Sequence, residues 1–567
     1  MKKKTATATD MDSIISFNAL NGPVKDASIY NFAAPDPGST IGLPDLATPG
    51  ETIRGKLVYG FSGDSDPNRA GTNNVFNQLY SGQKQDTSDG VITFGFLDQQ
   101  HVTGLNNNPA FGEGKGYTAF TPAQQAAARI AMQSWDDLIA PRFVEVTNGP
   151  GASTWASKTV DIMLANTTTG PAQAYAYYPG YGNQYERVAG DVWVADPRVN
   201  GSNGQLSPGF YGLQTLNHEI GHGIGLSHPG NYNFGADTNG DGIPDPITYV
   251  DSAFYYQDNN QYTIMSYFDS YELGNNQIDW NLMRFVFPST PMVDDVRVAQ
   301  AIYGADMSTR TGDTTYGFNS TTDVTNPAMK FVPNEMFTIF TIWDAGGTDT
   351  LDLSGYKTGS IIDLRPGAYS SAGGLGAYDG KFLGIDPSTV SKTDYLSVIN
   401  GHNAALVGTD PLFTARTAAY DLYFGGRTGA NEGVPWIDIM GHDTTMENNI
   451  GIAYGAIIEN AIGGSGNDRI NGNQANNVFT GNDGADTFVF ARYGANDTST
   501  DTITDFHSGQ DKIDLSFFGK DVDASDVVYN FASHQLEVNT DAQAGADFFI
   551  NFGVNSQAPL VTDIIFG

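Results

Sequence analysis

At 567 residues the chain exceeds what one hydrophobic core usually serves, so two or more domains are expected. A formal net charge of −35 excludes nucleic acid as a partner, because phosphate binding needs clustered Lys and Arg. The absence of cysteine excludes disulfides and thiolate metal sites, whereas 67 glycines and 63 acidic residues suit solubility outside the cell and turns that ligate calcium.

The first ten residues have a basic start but no apolar run of signal-peptide length, and no stretch elsewhere is long and apolar enough for stable membrane insertion. Residues 1–50 are rich in Thr, Ala, Asp, Gly and Pro without sustained periodicity, which predicts a leader. A strand is expected over Val91–Leu97, rich in β-branched and aromatic residues. Thr121-Pro122-Ala123-Gln124 then announces a helix, with Thr as N-cap, Pro at the first position and Gln three residues after the cap. Its apolar face is Ala127, Ile130, Ala131, Trp135 and Leu138, a core stripe. Further strands are expected at 142–147, 160–165 and 172–178.

His218 to His228 reads His-Glu-Ile-Gly-His-Gly-Ile-Gly-Leu-Ser-His and matches H-E-x-x-H-x-x-G-x-x-H at every fixed position. On a helix, His218 and His222 lie four apart on one face and can aim at one ion. Gly225 is the residue type that lets the chain turn back through positive φ, which brings in His228 as third ligand. Three protein ligands leave zinc an open position, the arrangement of a catalytic rather than a structural site. Glu219, one residue past the first ligand, is the natural general base for attack of zinc-bound water on a peptide carbonyl. Ordinary polar residues on a helix surface would give this match by chance in roughly one chain of this length in several thousand.

Beyond the motif, Asp237, Asn239, Asp241 and Asp245 alternate as in the first half of an EF-hand loop, but Thr248 stands where the bidentate Glu belongs. Calcium ligation and a simple acidic turn both fit this insert. Asp294–Ile302 reads as a helix closing the catalytic unit. After it the composition shifts to Gly, Asp and Asn, and three nine-residue units begin at Gly463, Gly472 and Gly481. They follow G-G-x-G-x-D-x-U-x, with Asp468, Asn477 and Asp486 at position six and Ile470, Phe479 and Phe488 at position eight. The middle unit is degenerate, so fewer calcium ions are expected than in a long array.

With Pro229 after the third histidine, and Tyr262-Thr263-Ile264-Met265-Ser266-Tyr267 downstream, the chain resembles the serralysin branch of the metzincin zinc proteases. The resemblance runs over residues 90–567 and includes Tyr303-Gly304-Ala305-Asp306 at the junction. It implies an α+β metzincin catalytic domain at 51–304, after a propeptide at 1–50. An all-β C-terminal domain at 305–567, a parallel β-roll with β-sandwich character, would follow. Met265 would pack beneath the zinc site, and Tyr267 would coordinate zinc or swing to stabilise the oxyanion. The strand over 172–178 would lie at the cleft and hold an extended peptide by main-chain bonds. Calcium would be held by Arg310, Gly312, Asp313, Asp344, Gly346, Gly347, Asp349 and Glu459, and in the repeats by Gly464, Gly466, Asp468, Gly481, Asp483 and Asp486. The end, Thr562-Asp563-Ile564-Ile565-Phe566-Gly567, resembles a C-terminal signal for type I secretion.

The expectation is thus a secreted, monomeric metalloendopeptidase of broad specificity with one catalytic Zn2+ and several structural Ca2+, acting on proteins and peptides and exported by a type I apparatus. The alternative from another class is a calcium-dependent surface or adhesion protein with a vestigial protease domain. An intact Glu219 and three intact ligands argue against it.

Overall fold

The computed structural model describes residues 49–53, 55–61, 74–98, 113–147, 160–170, 173–180, 188–230, 232–233, 247–273, 275, 277–279, 284–322, 326–331, 337–373, 446–492, 499–520, 522–540 and 545–567. The acidic insert at 237–245 and the leader as far as residue 48 lie outside them.

The chain enters through a short hairpin of β1 (Thr52–Ile53) and β2 (Lys56–Leu57), followed by α1 (Val75–Leu79), which Asn74 caps by accepting from the Asn77 amide at 2.9 Å. A six-stranded sheet then forms from β3 (Val91–Phe96), β4 (Tyr117–Thr118), β5 (Arg142–Glu145), β6 (Ile162–Thr167), β7 (Ala174–Ala176) and β8 (Val192–Ala195). Its order is β5-β3-β6-β8-β7, with β4 also on β6; the first four are mutually parallel and β7 runs antiparallel to β8 at the edge. Every residue of β6 and β8 is buried, as interior strands of a sheet covered on both faces must be.

Strand ends differ from the sequence expectation by one or two residues because pairing sets them. β5 stops at Glu145, opposite Phe94, whereas β6 runs on to Thr167 because β4 and β8 both pair that far. β7 is regular over three residues only, although the Tyr177 amide still reaches the Asp191 carbonyl at 3.0 Å.

The helix announced at Thr121 is α2 (Pro122–Asp136), and its capping box is formed: the Gln124 amide donates to the Thr121 hydroxyl and the Thr121 amide to Gln124 Oε1. Ala127, Ala131, Trp135 and Leu138 are buried, and Trp135 Nε1 donates to the Asn217 carbonyl of α3 (Tyr211–Gly223) at 3.1 Å. One turn, α4 (Tyr249–Ser252), a two-stranded pair β9 (Ile278–Asp279) with β10 (Arg284–Phe285), and α5 (Val293–Tyr303) complete the unit. α5 starts and ends one residue outside the expected span, stopping at Gly304 with φ +81°.

Among the described residues the remainder is β-rich, with three short 3-10 turns and no α-helix. Before the repeats come β11 (Thr315–Gly317), β12 (Phe340–Ile342), β13 (Thr350–Asp352), β14 (Ile361–Asp363), β15 (Tyr369–Ser370) and β16 (Ile450–Ile452). The repeats carry β17 (Asn460–Ile462), β18 (Arg469–Asn471), β19 (Val478–Thr480) and β20 (Thr487–Val489). β21 (Thr500–Ile503), β22 (Lys512–Asp514), β23 (Val527–Asn530), β24 (Gln535–Val538), β25 (Phe548–Phe552) and β26 (Ile564–Ile565) follow. Alternate strands join opposite sheets, β11-β13-β17-β19-β21 on one side and β14-β18-β20-β22-β26 on the other, all parallel within these runs. Ile470, Phe479 and Phe488 are fully buried between them, where the ninefold period puts the apolar eighth residue. β25, β24 and β23 extend the first sheet, the last two antiparallel.

The roll packs directly behind the catalytic unit. Tyr369 donates its hydroxyl to the Gln261 carbonyl at 2.8 Å, and Arg310 pairs with Asp137 at 2.8 Å.

Candidate metal centre and stacked glycine turns

α3 delivers His218 and His222 one turn apart, and its end is a Schellman turn. The Leu226 amide bonds the Gly221 carbonyl, and the Gly225 amide bonds the His222 carbonyl, both at 2.9 Å. Gly225 sits at φ +104°, and a Cβ there would lie 2.0 Å from the Gln83 carbonyl oxygen, so the turn admits glycine alone. The returning chain is fastened to the α1 end, the Ser227 amide donating to the Leu79 carbonyl at 2.7 Å, and this fixes where His228 arrives.

The three imidazoles converge. His228 Nε2 lies 3.2 Å from His218 Nε2 and 3.1 Å from His222 Nε2. Four ligands set tetrahedrally around zinc at about 2.0–2.1 Å would stand roughly 3.3 Å apart, so these residues fit the ion. Each Nδ1 meets a backbone carbonyl: Ile264 at 2.8 Å for His218, Leu226 at 2.7 Å for His222 and Tyr232 at 3.1 Å for His228. A carbonyl accepts only, so Nδ1 carries the hydrogen in all three rings and every Nε2 offers its lone pair inward. Burial lowers the histidine pKa values, to about 4 for His218 and about 3 for His228, which keeps the rings neutral and ready to ligate. Among the described residues no other group of three acidic or histidine ligand atoms lies within 4.8 Å.

Glu219 is 5% exposed, its Oε2 is buried without a hydrogen-bond partner, and desolvation raises its pKa to about 8. A carboxyl so placed has its ionised form stabilised once a cation sits among the neighbouring imidazoles.

Met265 is fully buried beneath α3, and Tyr267 lies with its ring 4.4 Å from that of His228. Three contributors to this floor escaped sequence reasoning. A Cβ on Gly221 would lie 2.6 Å from Met265 Sδ, so a side chain at the second variable position of H-E-x-x-H would push against the methionine. Asp295, at the start of α5, accepts from Thr263 Oγ1 and the Ile264 amide, both at 2.6 Å, and holds the Met-turn. Asp258, fully buried, accepts from the Tyr232 hydroxyl at 2.6 Å and from Ser266 Oγ at 2.8 Å. The Asp295 signal was an acidic residue in a first helical turn; Asp258 gave none.

Several of the residues expected to hold calcium lie on turns that stack closely on one another. A Cβ on Gly347 would meet the Gly312 carbonyl group at 2.7 Å, and one on Gly484 the Gly466 oxygen at 2.1 Å, which shows how closely successive turns stack. Arg310 takes φ +48° at the first of these turns. Asp349 Oδ1 accepts from the Thr314 amide at 2.7 Å, while its Oδ2 is buried without a partner. Asp344 and Glu459 crowd the same carboxyl, and burial with that crowding pushes Asp349 up to about 7. In the repeats, burial raises Asp468 to about 7 and Asp486 to about 8, with Asp468, Asp511 and Asp505 repelling the latter. In the degenerate middle unit Asn477 donates to the Glu459 carbonyl and to Asn473 Oδ1, at 3.0 Å each. Gly464 donates its amide to Asp468 Oδ2, while Gly481 donates to Asp505. Asp313 accepts from the Thr348 amide, and Asp344 from that of Gly346.

Residues 305–379 and 438–566 match the family model described as peptidase M10 serralysin C terminal. Serralysin C of Dickeya chrysanthemi is 39% identical over 286 residues, 50% of this chain and 53% of that protein. Metallopeptidase AprA of Pseudomonas marginalis is 32% identical over 446 residues, 75% of this chain and 73% of its own length. Serralysin of Photorhabdus luminescens is 30% identical over 421 residues, 71% and 67% respectively. The chain therefore spans from about half to nearly three quarters of these relatives. The three-histidine centre, the Met-turn beneath it and the glycine-stacked roll agree with these matches, and the chain belongs to the serralysin family of metallopeptidases.

Proposed function

We propose that the chain is a zinc metalloendopeptidase that cleaves proteins with broad specificity and is secreted in a calcium-dependent fold. The convergence of three Nε2 atoms, each ring held by a backbone carbonyl, carries the reading. His218, His222 and His228 would hold the zinc, whose bound charge would acidify a water and polarise the scissile carbonyl. Glu219, buried and adjacent, takes the proton from the attacking water and passes it to the leaving amine. Tyr267, whose ring lies against that of His228, would donate to the oxyanion as negative charge develops there. The strand β7, at the edge of the sheet, would receive an extended peptide by main-chain pairing, a mode of binding that reads side chains loosely.

The division into a catalytic unit at 51–304 and a calcium roll at 305–567 is supported by the change from mixed to β-rich structure after Gly304 among the described residues. Several calcium ions bound between stacked turns would neutralise the crowded carboxylates of Asp349, Asp468 and Asp486, using glycine carbonyls as further ligands. The net charge of −35 suits export of an extended chain by a type I apparatus, with the roll folding in calcium outside. Among the described residues no helix is long and apolar enough to cross a membrane.

Glu219→Gln tests the reading: zinc content should remain near one per chain while casein hydrolysis falls by about a thousandfold or more, since the ligands stay and the proton acceptor goes. Wild-type turnover by a zinc-loaded Gln variant would refute the assignment.

A further inference from the structure

Two pieces of backbone must keep a fixed relation for the centre to work. One is the segment after the third ligand, whose Tyr232 carbonyl takes the His228 Nδ1 hydrogen at 3.1 Å. The other is the Met-turn, which carries Tyr267. These segments are joined at one buried carboxyl. Asp258 Oδ1 accepts from the Tyr232 hydroxyl at 2.6 Å and from Ser266 Oγ at 2.8 Å, and Ser266 Oγ in turn accepts from the Phe268 amide at 3.0 Å. The Tyr232 ring lies nearly parallel to His228, 16° between planes with centroids 5.7 Å apart, and 5.1 Å from the Tyr267 ring. A shift of Tyr232 would therefore move both the carbonyl that orients His228 and the surface against which Tyr267 rests.

The anchor itself is rigid. Gln257, adjacent to Asp258, grips the entering chain in both directions, accepting from the Tyr59 amide at 2.9 Å and donating to the Tyr59 carbonyl at 2.7 Å. The Tyr59 and Tyr255 rings stack with centroids 4.6 Å apart and planes 1° from parallel. Asp258 is fully buried, so neither hydroxyl has water as a substitute partner.

We propose that Asp258 is a positioning residue of the zinc centre, acting through Tyr232 on His228 and through Ser266 on Tyr267. The proposal rests on the zinc reading above and adds that the third ligand and the tyrosine are set by one shared acceptor. Carbonyl and carboxylate partners behind metal-bound histidines are worth about 10–100-fold in metal affinity or activity. Because His228 and Tyr267 face the reacting atoms, the loss belongs in kcat rather than KM.

The test uses the full-length, zinc-loaded protein and follows zinc release to a chromophoric chelator alongside peptide hydrolysis, well below the melting temperature. Tyr232→Phe keeps the ring and removes one bond; Asp258→Ala removes both. Each should speed zinc release and lower kcat by about tenfold or more, with KM within about twofold. Ser266→Ala should lower kcat while leaving zinc release closer to wild type. Asp258→Asn retains an oxygen that can accept from both hydroxyls, so it should recover most of what Asp258→Ala loses. If Tyr232→Phe and Asp258→Ala melt earlier yet release zinc and turn over like wild type, the role is structural alone and the proposal fails. It fails equally if Asp258→Asn is as impaired as Asp258→Ala, since charge rather than shared acceptance would then matter. A wild-type protein that takes up no zinc would instead overturn the reading on which the proposal stands.

Discussion

Replacing Gly221 by alanine sets two effects of known size against each other on one helix. Alanine in place of an interior helical glycine favours the helix by up to about 1 kcal/mol. The new methyl would lie 2.6 Å from Met265 Sδ, 3.4 Å from its Cε and 3.1 Å from Trp135 Cζ2, and both of those side chains are fully buried. Overpacking of this kind costs about 1–3 kcal/mol, because neighbours must leave their rotamers or the helix must move. The net expectation is a loss of about 0–2 kcal/mol, a fall in Tm of a few degrees for a domain of this size. Gly223, the last residue of α3, supplies the internal control: a Cβ there meets nothing closer than 3.4 Å, so Gly223→Ala escapes the clash. Differential scanning calorimetry of the zinc-loaded variants should therefore rank Gly223→Ala above Gly221→Ala. Peptidase assays should show a loss for Gly221→Ala alone, since the displaced methionine underlies the ligand helix. A Gly221→Ala protein that melts at or above Gly223→Ala would refute the idea that the Met-turn demands glycine at this position.

Tyr267→Phe should lower kcat by about a hundredfold with less effect on KM, as removal of an oxyanion donor does; a change confined to KM would contradict the role. Gly225→Val should abolish zinc uptake, because a side chain at φ +104° with the Gln83 oxygen 2.0 Å away forbids the turn that presents His228; a zinc-replete variant would count against that geometry. Asp349 and Asp468 are raised to about 7 and Asp486 to about 8, so in chelator these groups add stability at low pH that is lost as pH rises through 7–8. The melting temperature of the roll in chelator should fall between pH 5 and 9, whereas millimolar calcium should remove or reverse that slope; a calcium-independent slope would contradict the site assignment.

The parts legible in the sequence were those that local chemistry dictates. Thr121 and Gln124 form a capping box wherever a helix starts on them, Gly225 must mark a left-handed turn, and the ninefold period places Ile470, Phe479 and Phe488 inside regardless of what surrounds the roll. Strand ends at Glu145 and Thr167 were not legible, because each is decided by how far a partner strand extends. Nor were Asp258 and Gly221. Asp258 acquires its function from a tyrosine 26 residues away, and Gly221 from a methionine 44 residues on, so their meaning appears only when the Met-turn is folded beneath the ligand helix. Charge crowding in the roll was readable as composition, but which carboxyls are buried depended on the stacking of turns as distant as Asp349 and Glu459.

The central claim is that three imidazole nitrogens of this chain hold one catalytic zinc. X-ray absorption at the zinc edge on the purified, full-length protein measures that directly. One zinc per chain, with three nitrogen scatterers of imidazole type at about 2.0–2.1 Å, is the predicted result, lost in His228→Ala together with casein hydrolysis. A zinc-free protein that still cleaves casein, or a zinc whose shell is unchanged in His228→Ala, would contradict it.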